Sequence, residues 1–452
     1  MKDPVTKRGL FLWLVFFLKI IVIYRHTVGG GAWMIDRLYE MKAFSALGAR
    51  NFRIFIFGQT VSLVGTWMQR LAMSWLVLRI TGSAAGLGLV EMSNQAPILI
   101  TGFVAGSILD RYDMKKILII TQTLCLVQAL ALAVLDFSGS IRYVQVLLLS
   151  LMLGIVTSVD LPARQACVVR MLDRPDQINS ALTINSVIFN LARLIGPALA
   201  GFALQAVGEA ACFALNALSF MAVIYSLTKL KIKKVPMTAK ESALKSFKEG
   251  VAYTVKFMAL RKVILASAAF CFLCYPFSTL LPFFAKNIFH SNASTLGMFL
   301  GSVGCGAIVG VIYQASMVPV TKLHRHVIYS IAVYGLGIAL FACSRSVKFS
   351  CAALTLLGFG MSTGLVCFNT LVQSIIDESK RGRVMSIYTV GSIGVGPIGS
   401  LTAGAVADIF GGTFAGLLFG GGALMLAYFM FKGLSSIEIP IMNVMREKRL
   451  TS

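Results

Sequence analysis

Charge is scarce in this sequence: 13% of its 452 residues are Asp, Glu, Lys or Arg, about half the share of an ordinary soluble domain. With 57% hydrophobic residues and a mean hydropathy of +0.81, that scarcity excludes a water-soluble globular domain. Carboxylates are scarcest, 18 against 41 Lys and Arg. Histidine is rarer still, and the four present (His26, His290, His324, His326) form no metal-ligand grouping. The nine cysteines lie almost all in apolar runs, where a thiol acts as a small hydrophobe, so no disulfide framework is implied. Cys271 and Cys274 make a CxxC with no second pair and no nearby His, which reads as helix packing. No GxxxxGK[ST], HExxH or serine-nucleophile elbow occurs, which removes a nucleotide engine and membrane hydrolysis from the expected functions. The sequence is therefore read as that of a non-enzyme, without cofactor or metal.

What is present is a series of apolar runs of membrane-spanning length. They fall at about 54–79, 86–109, 117–135, 143–161, 180–205 and 210–229, then at about 263–285, 296–318, 327–343, 349–371, 385–408 and 413–431. Twelve transmembrane helices in an all-α membrane protein are expected. The two sets of six enclose a basic bridge, 231–262, with a surface helix predicted from about Ala239 to Phe257. The predicted organisation is an N-terminal extension (1–42), a six-helix bundle (43–230), the bridge, a second bundle (263–432) and a tail (433–452).

The net charge of +23 would suggest nucleic acid in a soluble protein, but here its placement decides otherwise. Arg111, Lys115, Lys116, Arg164, Arg170, Arg174, the bridge, Lys322, Arg325, Lys380, Arg381 and Arg383 all fall on one side. Only Arg79, Arg142, Lys286, Arg345 and Lys348 fall on the other. This asymmetry predicts both termini in the cytoplasm, with the basic face against anionic lipids and no nucleic acid as partner. Residues 10–24 outwardly resemble a signal peptide. They are read either as a cytoplasmic or interfacial segment or as a stretch translated only if initiation is at Met1 rather than Met34 or Met41.

Between the second and third runs stands Gly106-Ser107-Ile108-Leu109-Asp110-Arg111-Tyr112-Asp113-Met114-Lys115-Lys116. A glycine, an Asp-Arg pair and a basic pair at this spacing resemble the loop motif of the major facilitator superfamily. Asp113 and Met114 depart from its usual Gly and base, and the variant is similar to the enterobactin-exporter and macrolide-efflux branch. A second segment, Asn190-Leu191-Ala192-Arg193-Leu194-Ile195-Gly196-Pro197-Ala198-Leu199-Ala200-Gly201, resembles the antiporter motif of exporters, with Ala192 and Ala200 where glycines are common. Gly396-Pro397 recurs at the matching place in the second half, and Pro162-Ala163-Arg164-Gln165-Ala166 points to the same branch. The resemblance covers about 43–432. It implies two parallel six-helix repeats, a site between them near mid-membrane, and export of a siderophore or drug-like molecule by proton antiport from the bacterial inner membrane. Lysophospholipid movement, uptake of a small solute, and a non-transporting receptor are the alternatives.

The resemblance makes Gly106, Asp110, Arg111, Lys115 and Lys116 a conformational latch. Asp160 and Arg164, at the end of the fourth run, are expected partners for Arg111 and Asp110. Gly196, Pro197 and Gly201 form the antiporter-type segment, where small residues admit close helix approach and the proline bends the helix; generic tight packing is the bland reading. Gly297, Gly301, Gly306 and Gly310 in the eighth run are read as packing.

Ionisable residues within spans are functional candidates. Arg70 and Glu91 both lie roughly 25 Å from the inner end of adjacent runs, at 1.5 Å per residue, so they can pair. The pair reads equally as a proton-coupling site and as a structural contact. Arg193, beside Asn190, either meets an anionic substrate group or snorkels. Asp136 and Asp408 fall at span ends, where solvation is cheap. The fourth run lacks the inward basic residue many proton-coupled members carry, which departs from the usual proton route.

Overall fold

The computed structural model describes residues 44–230, 243–318, 322–376 and 380–433, side chains at 98–111, 243–249, 315, 317 and 393 excepted. The expected extension 1–42, the bridge segment 231–242 and all of the tail beyond 433 lie outside the described residues. Regular structure among the described residues is helical throughout. A short turn at Ser45–Gly48 precedes α1 (Arg50–Thr81), α2 (Ala84–Arg111), α3 (Met114–Phe137), α4 (Tyr143–Arg170) and α5 (Ile178–Lys229). Then come α6 (Ala243–Lys256), α7 (Met258–Cys274), α8 (Phe277–Phe283) with a π turn at Phe284–Ile288, α9 (Ala293–Met317) and α10 (Leu323–Cys343). The last described helices are α11 (Val347–Ile375), α12 (Arg381–Ile393), α13 (Gly396–Phe410) and α14 (Gly412–Lys432). Nine stretches among the described residues are long and apolar enough to cross a membrane; α1 and α2 are not in that set.

The structure redraws several of the boundaries read from hydropathy. The fifth and sixth runs are continuous as α5 but break at Gly208 (φ 79°, ψ −179°), a conformation L side chains rarely adopt and glycine takes without strain. The seventh run divides into α7 and α8 at Tyr275-Pro276, and the eleventh divides into α12 and α13 just ahead of Pro397. Proline lacks an N–H and suits the first turn of a new helix, so both breaks follow from local chemistry. The surface helix is described over Ala243–Lys256; the residues expected to begin it, 239–242, lie outside the described residues. The Arg383 carbonyl oxygen lies 3.0 Å from where a Cβ on Gly250 would sit, and the Lys380 ammonium sits 4.2 Å from the Tyr253 ring centroid, so α6 rests on α12.

Lipid tails are as apolar as the helix surfaces, so helix association rests on close backbone approach and interhelical polar bonds. Among α1 to α5 a buried amide ladder supplies the second. Gln69 of α1 donates to Gln128 of α3 (2.9 Å), and Asn216 of α5 donates to Gln69 (2.8 Å). Each such bond contributes about 0.6–2 kcal/mol in a membrane. At the ends of the same helices Arg79 of α1 bonds Glu209 (2.9 Å) and Asp136 (2.5 Å). Among α7 to α14 the core is aromatic, with Phe284, Phe289 and Phe299 ringed around Phe341 at centroid distances of 4.7 to 6.5 Å.

The early helices meet the late ones along two seams, α2 with α13 and α5 with α9. A Cβ on Gly88 would lie 2.6 Å from the Leu401 Cα, and one on Gly404 would lie 2.8 Å from the Ala85 Cα. On the second seam, a Cβ on Gly201 would lie 3.3 Å from the Gly297 Cα and 3.1 Å from the Ala293 carbonyl oxygen. These contacts cluster toward one end of the helices, where α1 finishes and α2, α9 start.

The glycines of α9, read together as packing, divide in the structure. A Cβ on Gly306 would collide with the Thr355 carbonyl of α11, whereas nothing lies within 4 Å of one on Gly301. Gly306→Ala is expected to lower thermal stability in detergent by at least several degrees, and Gly301→Ala to leave it unchanged, as read by a fluorescence melting assay.

Candidate functional site

Three helices bring charge together inside the helical assembly. On α1, Trp67 and Arg70 are one turn apart and share a face. On α2, Glu91 and Gln95 are spaced by four, and Gln95 donates to the Glu91 carboxylate. Arg70 and Glu91 form an ion pair, with Glu91 the more sheltered partner (19% exposed against 47%). On α5, a Cβ on Gly196 would lie 2.5 Å from the Trp67 Cβ, so α5 presses on α1 at this point. The approach carries Arg193, three residues back, to the same indole.

Both guanidiniums are mounted on Trp67, Arg70 at 5.4 Å and Arg193 at 5.9 Å from the ring centroid, and Phe189 meets the ring edge-on at 5.9 Å. Each cation–π contact contributes about 0.5–2 kcal/mol and, more usefully, fixes the side chain's direction. The cluster reaches the late helices through Tyr275, at the α7–α8 break, which neighbours Arg70, Glu91 and Arg193. Tyr275 is itself held by Gly396, whose Cβ would lie 2.6 Å from the ring. The cluster thus sets two guanidiniums against one carboxylate, which Arg70 occupies, and no carboxylate among the described residues lies within ion-pair distance of Arg193. The arrangement suits a ligand that brings an anionic group and can also engage Glu91.

Asn190, expected beside Arg193, is not part of this group; its amide donates to the Ser186 carbonyl of its own helix (2.8 Å). Of the antiporter-type segment, Gly196 serves the contact with α1 and Gly201 the seam with α9, where the Pro197 carbonyl oxygen also lies 2.9 Å from a Cβ built on Gly297.

The latch residues are only partly within view. Gly106, Asp110 and Arg111 stand in the portion of α2 whose side chains lie outside the described residues. Asp160 and Arg164 pair with each other along α4, and Asp160 also accepts from Thr121 (2.7 Å) and Gln122 (2.9 Å). Lys115 donates to the Thr228 and Leu230 carbonyls (3.0 and 2.8 Å), capping the C-terminus of α5. Lys116 is exposed. Asp113, which departs from the loop motif, acts locally by accepting from the Lys115 N–H (2.9 Å), and so caps α3.

Sequence reasoning missed Trp67, because an aromatic in an apolar run carries no signal of its own. Its spacing of three from Arg70 could have marked it. It also set aside Asp408 as an ordinary span end, although its carboxylate reaches the start of α2.

The family model described as transmembrane secretion effector matches residues 41–447. The staphyloferrin A transporter of Staphylococcus aureus is 27% identical over 367 residues, spanning 79% of this chain and 90% of that protein. The multidrug efflux pump Tap of Mycolicibacterium fortuitum is 22% identical, with 79% and 89% covered. Macrolide efflux protein A of Streptococcus pyogenes is 23% identical, with 78% and 88% covered. Among solved structures the nucleoside transporter NupG superposes with a TM-score of 0.68 at 14% identity, covering 85% of this chain and 98% of that one.

The charge imbalance predicts a stability order. Glu91→Ala leaves two guanidiniums on one indole with no counter-charge, so it should lower the melting temperature more than the double variant Arg70→Met/Glu91→Leu. Melting curves of both in the same detergent, compared with the parent, test that order.

Proposed function

The chain belongs to the transmembrane secretion effector family of the major facilitator superfamily, and we propose that it exports a siderophore or drug-like molecule across the bacterial plasma membrane in exchange for protons. It is a multi-pass membrane protein and a transporter. On this reading it has twelve spans: α1 to α4, the two arms of α5 either side of Gly208, α7 with α8, α9, α10, α11, α12 with α13, and α14. The spans form two six-helix bundles, 43–230 and 263–432, that rock about the seams. The one-sided basic loops support cytoplasmic termini, which makes the end carrying Thr81 and Asp408 external.

The observation that carries the proposal is the cluster of Trp67, Arg70, Glu91 and Arg193 beside Tyr275. It touches both bundles, beneath seams whose close contacts lie toward the external end. Such a site is reached from inside while the external end is shut. Rocking then exposes it to the other side.

Exchange requires that ligand and proton exclude each other. A ligand that places an anionic group on Arg193 and an N–H or O–H on Glu91 meets this requirement. The donor favours the ionised carboxylate, and a proton on Glu91 removes the charge and turns one carboxyl oxygen into a donor, which weakens the site for that ligand. Protonation also releases Arg70, so the two occupancies give differently tied helices, as a coupled cycle needs. Binding linked in this way is reciprocal: whatever factor the proton takes from ligand affinity, the ligand takes from proton affinity.

In proteoliposomes with an imposed proton gradient, screening siderophores, drugs and lysophospholipids, one class is expected to move against the proton flux. Ligand affinity should fall as pH is lowered. Glu91→Gln should remove both the pH dependence and gradient-driven flux at unchanged membrane abundance, whereas normal proton-driven flux in that variant removes Glu91 from the coupling role. If the substrate is a siderophore, cells lacking the protein should retain it, or its precursor, under iron starvation.

A further inference from the structure

We propose that Asp408 and Lys286 clasp the α1–α2 hairpin across the external seam, and that opening this clasp governs access to the site from outside. The proposal rests on the alternating-access reading given above, and deepens it by naming the groups that hold one state. The Asp408 carboxylate, at the end of α13, accepts from the backbone N–H of Ala84 (2.7 Å) and Ala85 (2.9 Å) and from the Ser83 hydroxyl. These are the first N–H groups of α2, which have no partner within their own helix. A helix commonly caps itself with a nearby Ser or Asp. Here Ser83 accepts from Gly86 N–H (3.0 Å), and the anionic part of the cap comes from a residue more than 300 positions away.

Lys286 does the complementary thing at the other helix end. Its ammonium, in the π turn after α8, donates to the Leu78 carbonyl (2.9 Å) in the last turn of α1. An anion at the start of one helix and a cation at the finish of the other are each the favourable sign for that terminus. Both charges come from the second bundle, and both acceptor or donor groups on the hairpin are predominantly backbone. Side-chain mutation on the hairpin therefore removes at most the Ser83 share of the contact, whereas mutation of Asp408 or Lys286 removes each charge outright.

Two further features make this a clasp rather than fixed glue. Asp408 is exposed and Lys286 half-buried, so separation hands both charges to water and buries neither. The hairpin is also secured from behind: Arg79 bonds Asp136 and Glu209 of its own bundle, so when the clasp opens, α1 and α2 leave with that bundle as one body. Beneath the clasp, Gly88 lies on Leu401 and Gly404 on Ala85, contacts that part in the same motion. Asp408 is exposed, so screening holds the effect of its loss to about tenfold in the open-to-closed ratio.

The test uses full-length protein in cells and proteoliposomes. Ser400 is fully buried beneath Gly88, so a Ser400→Cys variant reports opening of the seam to a membrane-impermeant maleimide added outside. Adding Asp408→Asn or Lys286→Gln should raise the labelling rate, corrected for the parent's own cysteines, about tenfold. Asp136→Asn, which loses a charge contact inside one bundle, should not raise it. Separately, a Ser83→Cys/Asp408→Cys pair should cross-link under oxidation, arresting transport until reduced. Labelling at the parent rate in both clasp variants, or undiminished transport by the cross-linked pair, overturns the proposal. Labelling needs no substrate, so a clasp that responds while no compound is moved would sink the export reading and leave the clasp standing.

Discussion

Backbone contact at glycine is the constraint on which this structure depends, because lipid gives helices no hydrophobic reason to associate. Its distribution follows a rule in both bundles. The helix carrying Gly196-Pro197 packs its first glycine on α1, the opening helix of its own bundle, and Gly201 on α9, the second spanning helix of the other. The helix carrying Gly396-Pro397 packs its first glycine on Tyr275 at the end of α7, the opening segment of its own bundle, and Gly404 on α2, the second helix of the other. A weak sequence repeat thus becomes a physical one. The corresponding helix in each half makes one close contact within its half and one across to the other, a symmetry that suits the rocking cycle proposed above.

Within that frame the charged cluster is placed by steric means. Gly196 brings α5 onto Trp67, and Trp67 then sets the direction of Arg70 and Arg193. A bulkier residue at 196 would move Arg193 away without touching any charge. An excess of one cation would be costly facing lipid; the cluster instead lies where α1, α2 and α5 meet the α7–α8 break.

Much of this was legible in the sequence, for reasons that also define what was not. Hydropathy and spanning length located the helices, since lipid thickness imposes both. They could not say that Gly208 breaks α5 or that Pro276 divides the seventh run, because a kink changes no composition. Equal depth along adjacent runs was sufficient to bring Arg70 to Glu91, an argument needing only the 1.5 Å rise of a helix. Asn190, three residues from Arg193 and so on the same side of α5, is drawn off instead by its own helix, its amide donating to the Ser186 carbonyl. Trp67 and Asp408 were hidden for opposite reasons. The indole looks like any other apolar residue, and the aspartate looked adequately solvated until the fold brought it to the start of α2.

The clasp and the cluster occupy the same two helices. Arg70 lies eight residues before Leu78, and Glu91 six residues after Ala85, so about 9–12 Å of α-helix separates site from clasp on each arm of the hairpin. A helix of two turns is stiff over that distance, and Arg79 braces its outer end against Asp136 and Glu209. Any change in how Arg70 and Glu91 are tied, whether by ligand or by proton, therefore bears on the angle at which α1 and α2 present their ends to Lys286 and Asp408. The converse also holds, because coupling between two sites is reciprocal in free energy. No separate relay through the protein is needed to connect occupancy with access. The α1–α2 hairpin carries the acid at one level and, at the next, the backbone groups held by Asp408 and Lys286, so one rigid element joins the proposed coupling site to the proposed clasp.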